Sequence, residues 1–204
     1  MKTLIVTAHP SSTGFTHAIA GVIKTEREKS GVEVEILDLY KTDLKQDFLR
    51  FENIRELPSD PVKDAIQAKI TEADELVFVH PVWWVSMPAI MKNFLDQNFT
   101  SRFAYRYIDG KRIGLLKGKT ARVYVTCDMP IWLYALLGFP FVPTWVVGVL
   151  VYCGIDVRNF SIFRMLGHKT PEGLQKHLNR VKRDINKKRL WLSVINFLGS
   201  VFSL

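Results

Sequence analysis

The stretch LIVTAHPSSTGFTHAIA, residues 4–20, decides how the rest of the chain is read. Leu4 to Val6 is a short apolar run with β-branched content, and it breaks into a turn of small hydroxyl residues. Beyond the turn, Phe15, Ile19, Val22 and Ile23 recur at helical spacing. A strand therefore feeds a helix N-terminus, which presents unpaired N–H groups and a partial positive charge. Ser11, Ser12, Thr13 and Thr16 add donors, Gly14 lets a ligand approach the backbone, and no Asp or Glu occurs from Thr3 to Thr25. That chemistry suits a phosphate. An ordinary helix-capping turn also favours Ser and Thr, so position in the fold has to decide between the two.

Outward from this stretch, strand and helix patterns alternate. Val32, Val34 and Ile36 alternate with Glu33 and Glu35, as in a half-buried or edge strand. Pro61 opens a helix with Val62, Ile66 and Ile70 on one face. Leu76 to Val79 is a continuous apolar strand, central in a parallel sheet. Pro88 starts a helix whose buried stripe is Ile90, Met91, Phe94 and Leu95. Ala121 to Thr126 and Val157 to Phe163 read as two further strands. Thr170–Pro171 then caps a last long helix carrying Leu174, Leu178, Val181 and Ile185. The expectation is an α/β protein: a doubly wound, five-stranded parallel sheet with helices on both faces. Such sheets bind ligands at the carboxyl ends of the strands, where the strand order reverses. The loops after the first, third and fourth strands should meet there.

The second of these loops is HPVWWVSMPAI, residues 80–90. Two adjacent tryptophans follow a buried strand, and their flat surfaces suit a planar, mostly apolar ring; core or subunit-interface packing would use them equally. The third loop begins TCDMP, residues 126–130, and opens 27 uncharged residues, Met129 to Ile155. Gly138, Pro140, Pro143 and Gly148 interrupt that run, which argues for an apolar lid or subunit interface over a membrane span.

Composition narrows the classes. With 48% apolar residues in 204, a packed domain is expected and disorder is not. A net charge of +8 favours anionic partners. Only Cys127 and Cys153 are present, without CxxC or a neighbouring histidine set, so neither a disulfide scaffold nor a metal site is expected, and the setting is a reducing cytoplasm.

Four segments resemble the flavodoxin-like NAD(P)H:quinone oxidoreductases: LIVTAHPSSTGFTHAIA, FVHPVWWVSMPAIMKNFLDQNF, FAYRYIDGKRIGLLKGKTARVYVT and the apolar stretch ending in YCGI. They span most of residues 3–156 in the family's order. The resemblance implies a flavodoxin-like sheet and a bound flavin, FAD by its AHP-type loop with FMN as the alternative, and NAD(P)H as reductant. It places His9, Ser11, Thr13, Gly14, Phe15 and Thr16 around the flavin phosphate. Pro81, Val82, Trp83, Trp84 and Val85 would line the isoalloxazine, and Thr126, Cys127 and Asp128 would close its other side. Tyr134 falls at the family's pocket tyrosine, near the reacting ring. The chain departs from the family where Asp128 and Met129 replace glycines, and where no histidine follows in the apolar run to pair with Tyr134.

The function so implied is hydride transfer from NAD(P)H to flavin, then transfer of two electrons to a quinone or similar acceptor, in a homodimer and without nucleic acid. Alternatives are a non-catalytic electron carrier of the flavodoxin type and an ancillary flavoprotein regulating a membrane partner. Residues 1–189 read as the flavin domain, and 190–204 as an uncharged apolar tail with Ser193, Asn196, Ser200 and Ser203 at helical spacing. That helical extension would dock on its own domain or a partner subunit, or make peripheral contact with a membrane.

Overall fold

The computed structural model describes residues 1–52, 60–128, 132, 141–164 and 166–187. Its elements are β1 (Lys2–Thr7), α1 (Phe15–Lys29), β2 (Glu33–Asp38), α2 (Pro61–Glu72), β3 (Glu75–Pro81), α3 (Ala89–Asn98), β4 (Tyr105–Ile108), β5 (Lys111–Gly114), β6 (Thr120–Cys127), β7 (Asp156–Arg164) and α4 (Pro171–Asn186). Between β6 and β7, a helical turn at Phe141–Pro143 runs on as a π-helix, Thr144–Val151.

Five strands form one parallel sheet in the order β2-β1-β3-β6-β7. The order reverses between β1 and β3, so the crevice lies where doubly wound sheets bind ligands. The apolar strands are buried on both faces, and their alternation sorts two cores. Leu4, Val6, Leu76, Phe78 and Val123 pack against Ile66 and Ile70 of α2, Met91, Phe94 and Leu95 of α3, and Trp145 and Leu150 of the π-helix. Ile5, Val77, Val79 and Phe163 pack against Ile19 and Ile23 of α1 and Val181 and Ile185 of α4. The flavodoxin-like fold expected from the alternation is thus present. The described part of the apolar run covers the sheet beside α3, and no described helix is long and apolar enough to cross a membrane.

One element lies outside the sequence expectations: the antiparallel hairpin β4–β5, closed by Asp109 and Gly110 at φ 50° and 73°. Asp-Gly is the pair such a turn needs. The tail, 190–204, lies outside the described residues.

At the amino ends of the strands, buried Glu75 accepts from Arg27 Nη2 at 2.6 Å and Nε at 2.8 Å, and from Arg122 Nε at 2.9 Å. Arg122 also donates to the carbonyls of Asp184 (2.7 Å) and Lys187 (2.9 Å). Strands β3 and β6 and helices α1 and α4 are tied together there.

Candidate active site

At the opposite end, the three loops meet. A cleft of about 510 Å³ is lined by His9, Phe15 and Thr16 from the first, Pro81 to Val85 from the second, and Thr126, Cys127 and Asp128 from the third. The His9 and Trp83 rings lie 6.4 Å apart, so the hydroxyl turn and the double-tryptophan turn are neighbours. Leu166 also lines the cleft and was not among the sequence candidates. Asp128 brings it there: its Oδ1 accepts from the Gly167 amide at 3.2 Å, tying the third loop to the turn after β7. Tyr134 lies outside the described residues.

The α1 N-terminus differs from those of α2 and α4, whereas α3, which starts behind Pro88, likewise has no side-chain cap. Asp60 caps α2 by accepting from the Val62 and Lys63 amides, and Thr170 caps α4 by accepting from Gly173. The N-cap of α1 is Gly14, with no side-chain cap and no acidic residue in the first turn. The nearby hydroxyls turn to one another instead: Ser11 Oγ and Thr13 Oγ1 are 3.3 Å apart, and the Thr13 amide donates to Ser11 Oγ at 3.4 Å. Ser11, Thr13 and Gly14 are not among the described residues that line the cleft. Gly14 packs tightly on a neighbour: a Cβ there would come within 3.1 Å of the His9 ring. That ring is held by the Ser11 amide, which donates to Nδ1 at 3.1 Å.

The second loop is strained. The amides of Trp83 and Ser86 each donate to the other's carbonyl at 2.9 Å, and Trp84 and Val85 between them take φ 50° and 59°. A two-residue turn of this kind prefers glycine or asparagine, and a β-branched residue there is an outlier. Each such residue costs roughly 1–3 kcal/mol and persists where the surroundings enforce it. Two locks do so. The Val82 amide donates to the Thr126 carbonyl at 2.7 Å, and buried His80 Nδ1 donates to the Pro81 carbonyl at 2.8 Å. Trp84 is left 99% exposed at the cleft.

His80 is more than a strand end. Burial pushes its pKa down to about 4, so the imidazole is neutral near pH 7 and is no proton donor to the cleft. It stacks on Trp145 with centroids 5.4 Å apart. His17 and His177, which helix position alone assigns to the surface, are half-buried. His17 Nε2 lies 2.9 Å from Asp38 Oδ2 at the end of β2, a pairing the sequence does not signal.

The model for the family described as "Flavodoxin-like fold" matches residues 1–185. A protein named as an uncharacterized NAD(P)H oxidoreductase of Haemophilus influenzae is 32% identical over 169 residues, 80% of this chain and 83% of that one. An FMN-dependent NADH:quinone oxidoreductase of Coprothermobacter proteolyticus is 31% identical over 173 residues, 76% of this chain and 82% of that one. This chain belongs to the flavodoxin-like NAD(P)H:quinone oxidoreductase family. A solved member of the same fold, Smu.1420 of Streptococcus mutans UA159, superposes with a TM-score of 0.79 at 30% identity, over 91% of this chain and 98% of that one. The family match stops at residue 185, so the apolar tail falls outside it.

A phosphorylated planar ring fits the cleft's chemistry. The uncapped helix start suits an anion. The turn's own hydrogen bonds use the Trp83 and Ser86 amides and leave those of Trp84 and Val85 outside them. Among the described residues of the lining Asp128 is the one carboxylate, and it is bonded to Gly167.

Proposed function

We propose that this chain is a flavin-dependent NAD(P)H oxidoreductase that delivers two electrons to a quinone or a similar small acceptor. The observation that carries the proposal is the convergence of the hydroxyl turn and the double-tryptophan turn on one cleft at the strand-order reversal. When bound, a flavin supplies the redox chemistry, accepting a hydride from NAD(P)H and returning two electrons to the acceptor.

The chain's own residues bind, orient and polarise. The first turn of α1, with His9, Phe15 and Thr16 of the lining, takes the phosphate, and Ser11, Thr13 and Gly14 complete the loop around it. Pro81, Val82 and Trp83 to Val85 present one wall to the ring, and Thr126, Cys127 and Asp128 the other. The Trp84 and Val85 amides act as fixed dipoles favouring negative charge at the ring. The set of donors therefore excludes Trp83, whose amide is spent inside the turn. Tyr134 is carried by resemblance alone, and Tyr134→Phe tests it against the acceptor's KM. A homodimer belongs to the same proposal: Phe48 and Phe51 are 67% and 49% exposed on one segment, as unassembled interface residues are. Its setting is the cytoplasm.

The test is the visible spectrum and extracted cofactor of the purified protein, followed by oxidation of NADH and NADPH with a soluble quinone. A yellow protein with parallel initial-rate lines is expected, because both substrates use one cleft in turn. Extraction separates FAD, favoured by the loop resemblance, from FMN, named in the Coprothermobacter relative. A colourless protein that takes up neither flavin overturns the proposal. A yellow protein without turnover replaces the enzyme by an electron carrier or a regulatory flavoprotein.

A further inference from the structure

We propose that His17 screens the phosphate end of the cleft from Asp38, and that this pairing sets how tightly the chain holds a phosphorylated ligand. The inference rests on the flavin reading above and concerns its phosphate alone. Along the chain the first loop is free of acid, since no Asp or Glu precedes Glu26. Across space the fold brings a carboxylate back. Asp38 ends β2 and lies in register with Thr7, the last residue of β1, so it stands at the carboxyl ends of the strands, where the first loop begins. His17 meets it there, from the first turn of α1, two residues after the cleft-lining Phe15 and one after Thr16.

The contacts cover the charge of Asp38. His17 Nε2 lies 2.9 Å from Asp38 Oδ2, and a carboxylate only accepts, so that nitrogen carries the proton. The other ring nitrogen, Nδ1, is buried and has no hydrogen-bond partner among the described residues, so the polar contact of the ring goes to Asp38. The second oxygen of Asp38 accepts from the Tyr40 amide at 3.1 Å, and Lys41 Nζ lies 3.5 Å from Oδ2. The Lys41 side chain is half exposed, so water weakens its share. The side chains of His17 and Asp38 are 18% and 14% exposed, so their interaction is screened less. On its other side His17 stands edge-on to His9, with ring centroids 6.3 Å apart, and His9 lines the cleft. The order outward from the cleft is His9, His17, Asp38. An anion in the first turn of α1 is thus offered the imidazole side of the pair rather than its carboxylate. A plain structural tie between α1 and β2 would use the same bond. The two roles part over what should happen when Asp38 loses its charge as well.

The experiment is fluorescence titration of the flavin-free, full-length protein with riboflavin, FMN and FAD. His17→Phe keeps an aromatic ring and leaves Asp38 unscreened. FMN and FAD should then bind about fivefold more weakly, the order expected for one added charge near a protein surface, and the loss should shrink as salt rises. Riboflavin has no phosphate and should change less than about twofold. Adding Asp38→Asn to His17→Phe should bring FMN and FAD back to within about twofold of the parent, although the bond between α1 and β2 is absent from both variants. Asp38→Asn alone should bind FMN at least as tightly as the parent. Three results overturn the proposal and leave the flavin reading standing. One is equal weakening of riboflavin and FMN by His17→Phe, which makes the pair a structural tie. Another is a double variant that binds FMN no tighter than His17→Phe does. The third is weaker FMN binding by Asp38→Asn alone, which decides the matter should His17→Phe fail to fold. A parent that binds none of the three flavins overturns the flavin reading and this inference with it.

Discussion

At its first residue, β3 carries Glu75, buried and bonded to two arginines from distant parts of the chain; six residues later, at Pro81, the same strand runs into a turn with two left-handed residues and a fully exposed indole. The amino end of the sheet satisfies its polar groups internally. The carboxyl end leaves a helix start without a side-chain cap and two amides outside the turn's own bonds. The difference separates two uses of the same chemistry. Groups that satisfy one another hold the fold, and groups held ready at a strained loop are available to a ligand.

The comparison is most exposed at Glu75. Glu75→Gln leaves Arg27 and Arg122 without their carboxylate and should cost about 3–5 kcal/mol in urea unfolding. Flavin affinity of the folded protein should change less than about twofold, because the sites are far apart. A large loss of flavin affinity at full stability would break the division between the ends.

Acid tests the carboxyl end. The folded pKa of His80 lies near 4 and its ordinary value is 6.5. Between these values the unfolded chain binds a proton that the folded chain refuses. Stability is therefore full above pH 6.5 and falls as the pH drops towards 4, by about 3 kcal/mol in all. His80→Phe keeps an aromatic ring against Trp145 and should flatten that slope, measured by urea unfolding at a series of pH values. An unchanged slope would assign the acid sensitivity to other groups.

Strain at the cleft predicts a gain. Trp84→Gly removes a left-handed tryptophan that packs on little, and should raise stability by about 0.5–1 kcal/mol after glycine's own entropy cost. The same change should weaken flavin binding, read by fluorescence titration. A loss of stability would mean the turn is not strained.

The smallest effects sharpen the contrast between helix starts. Asp60→Ala should cost about 1 kcal/mol, because a working cap is removed from α2. Thr13→Ala removes no cap from α1 and should stay within about 0.5 kcal/mol, while flavin dissociates faster. Equal stability losses at the two positions would make the first loop an ordinary capping turn.

The order of elements was legible because each strand and helix advertises its own period. Leu76 to Val79 needs no partner to read as a buried strand, and Asp60–Pro61 and Thr170–Pro171 mark helix starts within a few residues. The three loops of the site were legible for a related reason: they follow strands whose carboxyl ends must coincide in a doubly wound sheet. Legibility failed where a residue's role depends on what lies across space. Helix position alone puts His17 on the surface, whereas in the fold it lies beside Asp38. Leu166 enters the cleft through the Asp128–Gly167 bond, and Gly14 leaves room for the His9 ring. The hairpin β4–β5 was missed although its Asp109–Gly110 signal is local.

By itself the sequence determined the alternation of strands and helices, the acid-free first loop and the charge carried from Lys169 to Arg189. These depend on neighbours along the chain, and nearest-neighbour sterics and periodicity act before any tertiary contact forms. Only the tertiary structure decided that Glu75 would meet Arg27 and Arg122, that His80 would be buried and neutral, and that Trp84 and Val85 would be held left-handed. Burial, ion pairing and strain are set by what packs against a residue, and here those partners come from elements far away in the chain.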